Sequence, residues 1–176
     1  MHYDAKDEWT RLYLNSEDIS YPAEGVIRIL KGSFPSLKMP KPASGKILDL
    51  GCGDGRHLPL FQQVGLVGYG TEISSEICDA ITKRLSERGI KIGGILKGTT
   101  NDLPFEENFF DYLLTWNSCY YMTAGVGLDF CTHIREMARV IKKEGWIICS
   151  IPKKSCFIYK ESRPAEKPGF RILAKD

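Results

Sequence analysis

Short apolar runs recur along the chain from residue 46 onward, separated by longer stretches in which apolar residues recur at helical spacing. The runs are apolar at consecutive positions rather than at every second one, which predicts strands buried on both faces. Strands of this kind that alternate with helices form a parallel sheet covered on two sides. The predicted strands are 46–50, 66–71, 92–96, 110–116 and 146–151, and the helices between them are 56–64, a segment capped by Ser74 or Ser75 that runs to Arg88, and 128–141.

Right-handed crossovers between such strands favour a doubly wound, mostly parallel α/β sheet with strand order 3-2-1-4-5. Residues 44–152 therefore predict one Rossmann-like domain, in which ligands bind at the carboxyl ends of the strands beside strand 1. Residues 1–43 form a helical preface and linker, with helices expected at 3–14 and from Pro22 to Gly32. Residues 153–176 form a C-terminal tail with at most a weak strand at 172–174.

Composition excludes several classes of protein. The 176 residues are 43% apolar and carry a net charge of +2, which gives no reason to expect a nucleic-acid or membrane partner. No apolar run approaches the roughly 20 residues needed to span a bilayer, and the polar N-terminus is unlike a signal peptide. The tail carries seven basic and three acidic residues, and we expect a solvated, mobile end rather than a surface for an anionic acceptor or RNA.

The six cysteines and three histidines do not form a recognisable ligand set. No two cysteines form a C-x-x-C pair, and they fall in unrelated predicted elements. We therefore expect neither a metal site nor a disulfide framework, and a cytoplasmic protein with reduced thiols fits better.

The most informative segment is residues 47–56, ILDLGCGDGR, where a predicted strand passes through an acid into three alternate glycines and a helix. Gly51 and Gly53 permit positive φ and let a ligand lie against bare backbone. A dinucleotide site uses such a turn for pyrophosphate, but Asp49 would repel phosphate and suits a cationic ligand instead. The third glycine of the dinucleotide pattern also falls on Arg56. The alternative for this segment is a purely structural turn.

A second carboxylate, Glu72, ends the second predicted strand, 21 residues after Gly51. A carboxylate at that strand end can accept hydrogen bonds from both hydroxyls of a ribose. The alternative is a favourable charge at the N-terminus of the next helix. The functional interpretation requires Asp49 and Glu72 to flank the same glycine bend.

With the block GTTNDLPFEENFFDY at 98–112, these motifs make the region from about residue 44 to 152 resemble the class I S-adenosylmethionine-dependent methyltransferases, most closely their bacterial small-molecule branch. The resemblance implies S-adenosyl-L-methionine as cofactor. It implies that Asp49 helps to hold the methionine ammonium, directly or through water, and that Glu72 binds the ribose hydroxyls. The other cofactor-binding positions that it implies are Gly51, Cys52 and Gly53 in the turn, Ile73 against adenine, Thr99 and Thr100 in the adenine loop, and Trp116 beside the cofactor.

Two departures from the family pattern affect these expectations. Thr99 stands where the family often has an Asp that accepts from the adenine amino group, so Thr99, Asn101 or a backbone carbonyl would have to do this. The chain also shows no clear match to the family's C-terminal antiparallel strands. An uncovered edge of the fifth strand invites self-pairing, so we expect either a homodimer or a cover formed by the tail.

No catalytic residue is assigned from the sequence, because a sulfonium methyl group needs alignment and exclusion of water more than a fixed base. We expect His57 to be a partly exposed packing residue of the first helix. The candidates for positioning an acceptor are Asn117, Tyr120 and Tyr121. For each tyrosine, packing in the core is an equal alternative. The N-terminal aromatics either form a lid over the cofactor or cover one sheet edge.

The expected function is methyl transfer to a small-molecule acceptor by in-line displacement. The main alternative is a non-catalytic domain that binds the cofactor, for example as a regulatory subunit. A nicotinamide-dependent oxidoreductase is the third hypothesis, and Asp49 and Arg56 both disfavour it.

Overall fold

The computed structural model describes residues 5–15, 18–32, 36–37, 39–121, 130–166 and 168–173. The start of the helix predicted at residue 3, four linker residues and the start of the helix predicted from residue 128 lie outside these ranges. Within the described ranges, no helix is both long and apolar enough to cross a membrane. The elements are α1 (Ala5–Leu14), α2 (Glu24–Leu30), β1 (Lys46–Leu50), α3 (Leu58–Gln63), β2 (Val67–Glu72), α4 (Ser75–Glu87), β3 (Gly94–Lys97), β4 (Phe110–Thr115), α5 (Phe130–Val140), β5 (Ile141–Cys149), α6 (Phe157–Lys160), β6 (Ser162–Pro164) and β7 (Arg171–Leu173).

Five strands form one sheet in the order β3-β2-β1-β4-β5, and every neighbouring pair is parallel. The predicted doubly wound α/β fold and its strand order are therefore confirmed. The central strand β1 lies between β2 and β4, where the order reverses. Leu50 at the end of β1 is opposite Thr71 of β2, so the loops that follow these two strands emerge side by side.

The side chains of β1 alternate between two apolar layers, as a strand requires. Ile47 packs in the layer that includes α3 and α4, whereas Leu48 and Leu50 pack in the layer that includes α5. Asp49, two residues after Ile47, points to the same side as Ile47. Its carboxylate is therefore directed toward a largely apolar layer, where it requires a polar partner.

The last strand of the sheet differs from its predicted bounds. The sequence predicts that residues 142–145 close the preceding helix and that a strand begins at 146, but β5 already begins at Ile141. Phe110 pairs with Ile141 and Tyr112 pairs with Trp146, so the extra residues of β5 form a bulge. A Cβ at Gly145 would lie 2.9 Å from the Asp111 carbonyl oxygen, so this bulge requires glycine where it approaches β4.

The C-terminal segment has more regular structure than the solvated, mobile end predicted from sequence. β6 and β7 form an antiparallel hairpin that is a separate two-stranded sheet. The Arg171 guanidinium lies 4.1 Å from the centre of the Tyr159 ring and donates to Ser162 Oγ at 2.6 Å, which ties the hairpin to α6. In the described residues this hairpin does not pair with β5. A homodimer through that edge stays a prediction.

Helix α4 begins at the serine cap that the sequence predicts. Ser74 has extended backbone, and its Oγ accepts from the Ile77 amide at 3.3 Å. We expect Ser74→Ala to lower the free energy of unfolding by about 1 kcal/mol, because one amide of the first turn loses its acceptor. Urea denaturation measures this loss. The exposed neighbour provides the control, since Ser75→Ala should change stability by less than about 0.5 kcal/mol; equal effects of the two changes would contradict the capping role.

Candidate functional site

A glycine turn joins β1 to α3 at the carboxyl edge of the sheet. Gly51, Gly53 and Gly55 have φ values of 69°, 61° and 82°, which residues other than glycine rarely adopt. A Cβ at Gly51 would lie 2.8 Å from Cβ of Ser118, and one at Gly53 would lie 2.9 Å from the Tyr13 hydroxyl. The turn is therefore bare backbone that other parts of the chain approach closely.

The Glu72 carboxylate lies directly at this turn. Its Oε1 accepts from the Gly53 amide at 2.7 Å, and its Oε2 accepts from the Ile73 amide at 3.1 Å. The side chain is 6% exposed, and burial raises the pKa of Glu72 to about 7 despite these two hydrogen bonds. The nearby charge of Asp49 also raises it. Glu72 is thus a buried acid whose ionisation falls near neutral pH.

Asp49 approaches the turn from the core and is held there by a histidine. Asp49 Oδ2 lies 3.0 Å from His57 Nδ1, and the two residues are 1% and 4% exposed. Because an ionised carboxylate only accepts, Nδ1 carries the hydrogen and donates. The expectation that His57 is a partly exposed packing residue is wrong: it precedes α3 and turns inward to Asp49. Its Nε2 is buried with no hydrogen-bond partner among the described residues.

The remaining turn and adenine-loop positions are arranged around these carboxylates. Cys52 points into the core, where a Cβ at Gly70 would lie 2.8 Å from its sulfur, so only its backbone faces the turn. Ile73 is partly buried beside Glu72. Thr99 Oγ1 donates to Asn101 Oδ1 at 2.8 Å, and Thr100 Oγ1 lies 3.0 Å from His133 Nε2. Both threonine hydroxyls therefore already have partners within the protein.

The loop after β4, residues 116–121, closes the other side of the turn. The Trp116 ring packs on α2, where a Cβ at Gly25 would lie 2.5 Å from it. Ser118 Oγ donates to the Leu50 carbonyl at 2.6 Å and contacts Thr115 Oγ1 at 2.9 Å. Sequence reasoning missed Ser118, because nothing in the local pattern indicates that this loop folds back onto the end of β1.

Helix α1 lies over the glycine turn with two of the N-terminal aromatics, Trp9 and Tyr13, whereas Tyr21 is exposed and Tyr3 lies outside the described residues. Tyr13 contacts Gly53, stacks on Trp9 at 5.7 Å between ring centres, and keeps its proton because burial raises its pKa to about 12. Trp9 also contacts Tyr121 of the 116–121 loop at 5.9 Å. Arg84 of α4 donates to the Tyr13 carbonyl at 2.6 Å, which anchors the C-terminal end of α1.

Comparison with known proteins identifies the family. Residues 48–149, more than half of the chain, match the family described as "Methyltransferase domain". The chain belongs to the class I S-adenosylmethionine-dependent methyltransferases. The match begins within β1 and ends with β5, so it includes the glycine turn, Glu72 and the 116–121 loop. S-adenosylmethionine is the cofactor of this family.

Curated relatives agree with this assignment. The chain is 32% identical over 111 residues to the demethylmenaquinone methyltransferase of Anoxybacillus flavithermus, covering 59% of this chain and 43% of that one. It is 30% identical to the Geobacillus enzyme of the same name, covering 69% and 52%. The chain thus spans about half the length of these curated relatives.

Two solved structures share the fold. The PH0226 protein of Pyrococcus horikoshii is 23% identical with a TM-score of 0.58, over 80% of this chain and 64% of that one. A SAM-dependent methyltransferase of Aquifex aeolicus is 18% identical with a TM-score of 0.54, over 80% and 69%. At this level of identity the likeness is one of fold alone.

The raised pKa of Glu72 predicts a pH-dependent stability. The folded protein retains this proton up to about pH 7, whereas the ordinary pKa of a glutamate is 4.5. The contribution of this group to the free energy of unfolding is therefore complete below pH 4.5 and is lost as pH rises through 7. Between pH 5 and 8 we expect wild type to lose about 2 kcal/mol more unfolding free energy than Glu72→Gln. Urea denaturation across this range measures the difference. Parallel profiles for the two proteins would contradict the assignment.

The hydrogen bond between His57 and Asp49 predicts a large loss when only one partner is removed. His57→Leu leaves a buried carboxylate without its side-chain donor, and we expect about 3 kcal/mol lower unfolding free energy. His57→Asn supplies an amide N–H at a similar position and should recover part of the loss. Denaturation at pH 7.5 tests both variants. If the leucine variant matched wild type, Asp49 would have to be satisfied in another way.

Proposed function

We propose that this chain binds S-adenosylmethionine at the glycine turn and catalyses transfer of its methyl group to a small-molecule acceptor. The observation that carries the proposal is the Glu72 carboxylate at the amide of Gly53, next to bare glycine backbone. Family membership supports the reaction class. The residues present also fit the cofactor, because the turn combines an acceptor for sugar hydroxyls with an acid suited to an ammonium group.

Glu72 has the remaining capacity that ribose recognition needs. A carboxylate has about four lone-pair positions, and the Gly53 and Ile73 amides use two of them. The two that remain match the two vicinal hydroxyls of a ribose. Because a protonated carboxyl group would donate one hydrogen and accept less well, we expect binding to favour the ionised form of Glu72.

Asp49 acts at the methionine end in this proposal. Its 1% exposure leaves little surface for direct contact, so we infer that it attracts the ammonium group through water. The hydrogen bond from His57 fixes the orientation of the carboxylate, and Gly51 adds no side chain of its own at this point of the turn. The pair thereby supplies negative charge behind the turn.

At the adenine end, Ile73 offers an apolar surface and the 99–102 loop offers backbone groups. The Thr99 hydroxyl is engaged by Asn101, and Thr99 also exchanges backbone hydrogen bonds with Asp102 at 3.1 Å in both directions. Because its hydroxyl hydrogen goes to Asn101, Thr99 Oγ1 keeps lone pairs that can accept from the adenine amino group. We therefore propose Thr99 Oγ1 or a backbone carbonyl of this loop as the acceptor. In this proposal the Trp116 ring packs against α2 and borders the site.

Methyl transfer requires the chain to align an acceptor and to exclude water. When bound, S-adenosylmethionine supplies an electrophilic methyl group on a positively charged sulfur. Trp9, Tyr13 and Tyr121 form an aromatic cover over the turn, and aromatic faces also favour a nearby cation. Asn117, exposed on the same loop, accepts from Ser150 Oγ at 3.2 Å through its side-chain oxygen, so its side-chain N–H groups are the ones that would orient an acceptor.

The acceptor class is proposed from the relatives. Several of them carry the name demethylmenaquinone methyltransferase, so demethylmenaquinone is the first acceptor to test. This chain spans about half of their length, and the part of them that it does not match is free to contribute to acceptor choice.

Calorimetry with S-adenosylhomocysteine tests the cofactor site. We expect binding by wild type, at least about tenfold weaker binding by Glu72→Gln, and unchanged binding by Glu87→Gln, an exposed acid of α4. Wild-type affinity should also fall about tenfold between pH 8 and pH 6, following the ionisation of Glu72, and Glu72→Gln should lack this dependence.

Absence of binding by wild type would contradict the proposal. Binding without transfer of labelled methyl to demethylmenaquinone or a metabolite extract would favour the non-catalytic alternative.

A further inference from the structure

Two cysteine thiols meet at the carboxyl edge of the sheet, on the side of β4 away from the glycine turn. Cys119 in the 116–121 loop and Cys149 at the end of β5 have their Sγ atoms 3.4 Å apart. Neither of the two is in a disulfide, and the cofactor site uses neither. A disulfide has an S–S distance of about 2.05 Å, so the sulfurs need to approach by only about 1.4 Å to bond.

The surrounding backbone holds the two thiols in this position. Thr115 is the register partner of Cys149, and its Oγ1 accepts from the Cys119 amide at 3.2 Å. The Asn117 amide donates to Ser150 Oγ at 2.7 Å, and the Ser150 amide donates to the Thr115 carbonyl at 3.1 Å. Hydrogen bonds through Ser150 therefore already join the loop and the end of β4 to the residue that follows Cys149.

The two thiols differ in access. Cys119 is fully buried, whereas Cys149 is exposed and can be reached by a small reagent. The Cys149 sulfur itself is partly covered where it meets Cys119, and this loss of hydration raises the pKa of the thiol to about 12. The contact with Cys119 also contributes. Cys149 therefore carries its proton at neutral pH, and we expect exchange at this pair to be slow and to accelerate as pH rises.

The same loop contacts the proposed cofactor site. Ser118, next to Cys119, donates to the Leu50 carbonyl at 2.6 Å and lies against Gly51. The Tyr121 amide donates to the Ser118 carbonyl at 3.0 Å, and the Tyr121 ring contacts Trp9 of the cover. Since β5 lies on the far side of β4 from β1, a bond to Cys149 draws the loop away from the glycine turn.

We propose that Cys119 and Cys149 form a modification site: a low-molecular-weight disulfide oxidises them to an intramolecular disulfide, which weakens cofactor binding at the adjacent turn. In this reaction two protein S–H bonds and the S–S bond of the reagent break, and one protein S–S bond forms. The two electrons and two protons pass to the reagent, which leaves as two thiols. The effect on the cofactor rests on the proposed function, whereas formation of the bond does not.

Mass spectrometry of the full chain treated with bis(2-hydroxyethyl) disulfide tests the bond. The expected product is lighter by about two mass units, because two hydrogens leave, and is restored by dithiothreitol. Its tryptic digest should contain the peptide 98–135 joined to the peptide 144–153, and because Cys131 shares the first peptide with Cys119, the same product from Cys131→Ser assigns the bond to Cys119. Formation should be faster at pH 9 than at pH 7.

Matched variants separate this pair from the other cysteines. Cys131→Ser removes another exposed cysteine and should behave as wild type, whereas Cys149→Ser and Cys119→Ala should each abolish the internal bond. Two variants at the pair keep the test valid if one fails to fold, which circular dichroism reports. Only mixed disulfides with the reagent, or a bond between other positions, would overturn the proposal.

Calorimetry with S-adenosylhomocysteine then tests the coupling. We expect oxidised wild type to bind about fivefold or more weakly than reduced wild type, and oxidant-treated Cys149→Ser to be unaffected. Equal affinities in the presence of a verified bond would overturn the coupling between the two sites. If reduced wild type does not bind the nucleoside at all, the proposed function fails, while the mass measurement still decides whether the bond forms.

Discussion

The parallel pairing of β1 with β2 is the constraint on which the site depends. Leu50 is opposite Thr71, so the residues that follow the two strands emerge together at the carboxyl edge. Glu72 can then reach the Gly53 amide, and Asp49 lies beneath the same turn. A shift of one residue in this register would direct alternate side chains to the opposite layer and separate the two acids.

This arrangement opposes the apolar character of the core. Two carboxylates lie within a sheet whose other inward side chains are largely aliphatic, and burial of charge is unfavourable unless donors compensate. The compensation differs between them, because His57 donates to Asp49 whereas backbone amides donate to Glu72. The resulting pKa near 7 for Glu72 indicates that its compensation is partial. A ligand that brings further donors would complete it, so we infer that stability is lower here in exchange for binding capacity.

Local sequence patterns were sufficient for most of the fold and for the acids. Strand β1, the Ser74 cap and the strand order follow from apolar runs, capping residues and crossover handedness. Other features depend on contacts between residues far apart in sequence. The burial of His57, the bulge of β5 and the position of Ser118 are set by neighbouring strands and loops, and a single-sequence pattern carries no signal for them.

The 116–121 loop shows why such contacts matter for function. Its residues reach the glycine turn through Ser118, the N-terminal cover through Tyr121, α2 through Trp116 and the end of β5 through Asn117 and Cys119. A segment with contacts in four directions cannot adapt to one of them without changing the others, because packed interiors leave little free volume. We therefore expect changes at the end of β5 to be felt at the turn through this loop, as proposed for the bond between Cys119 and Cys149.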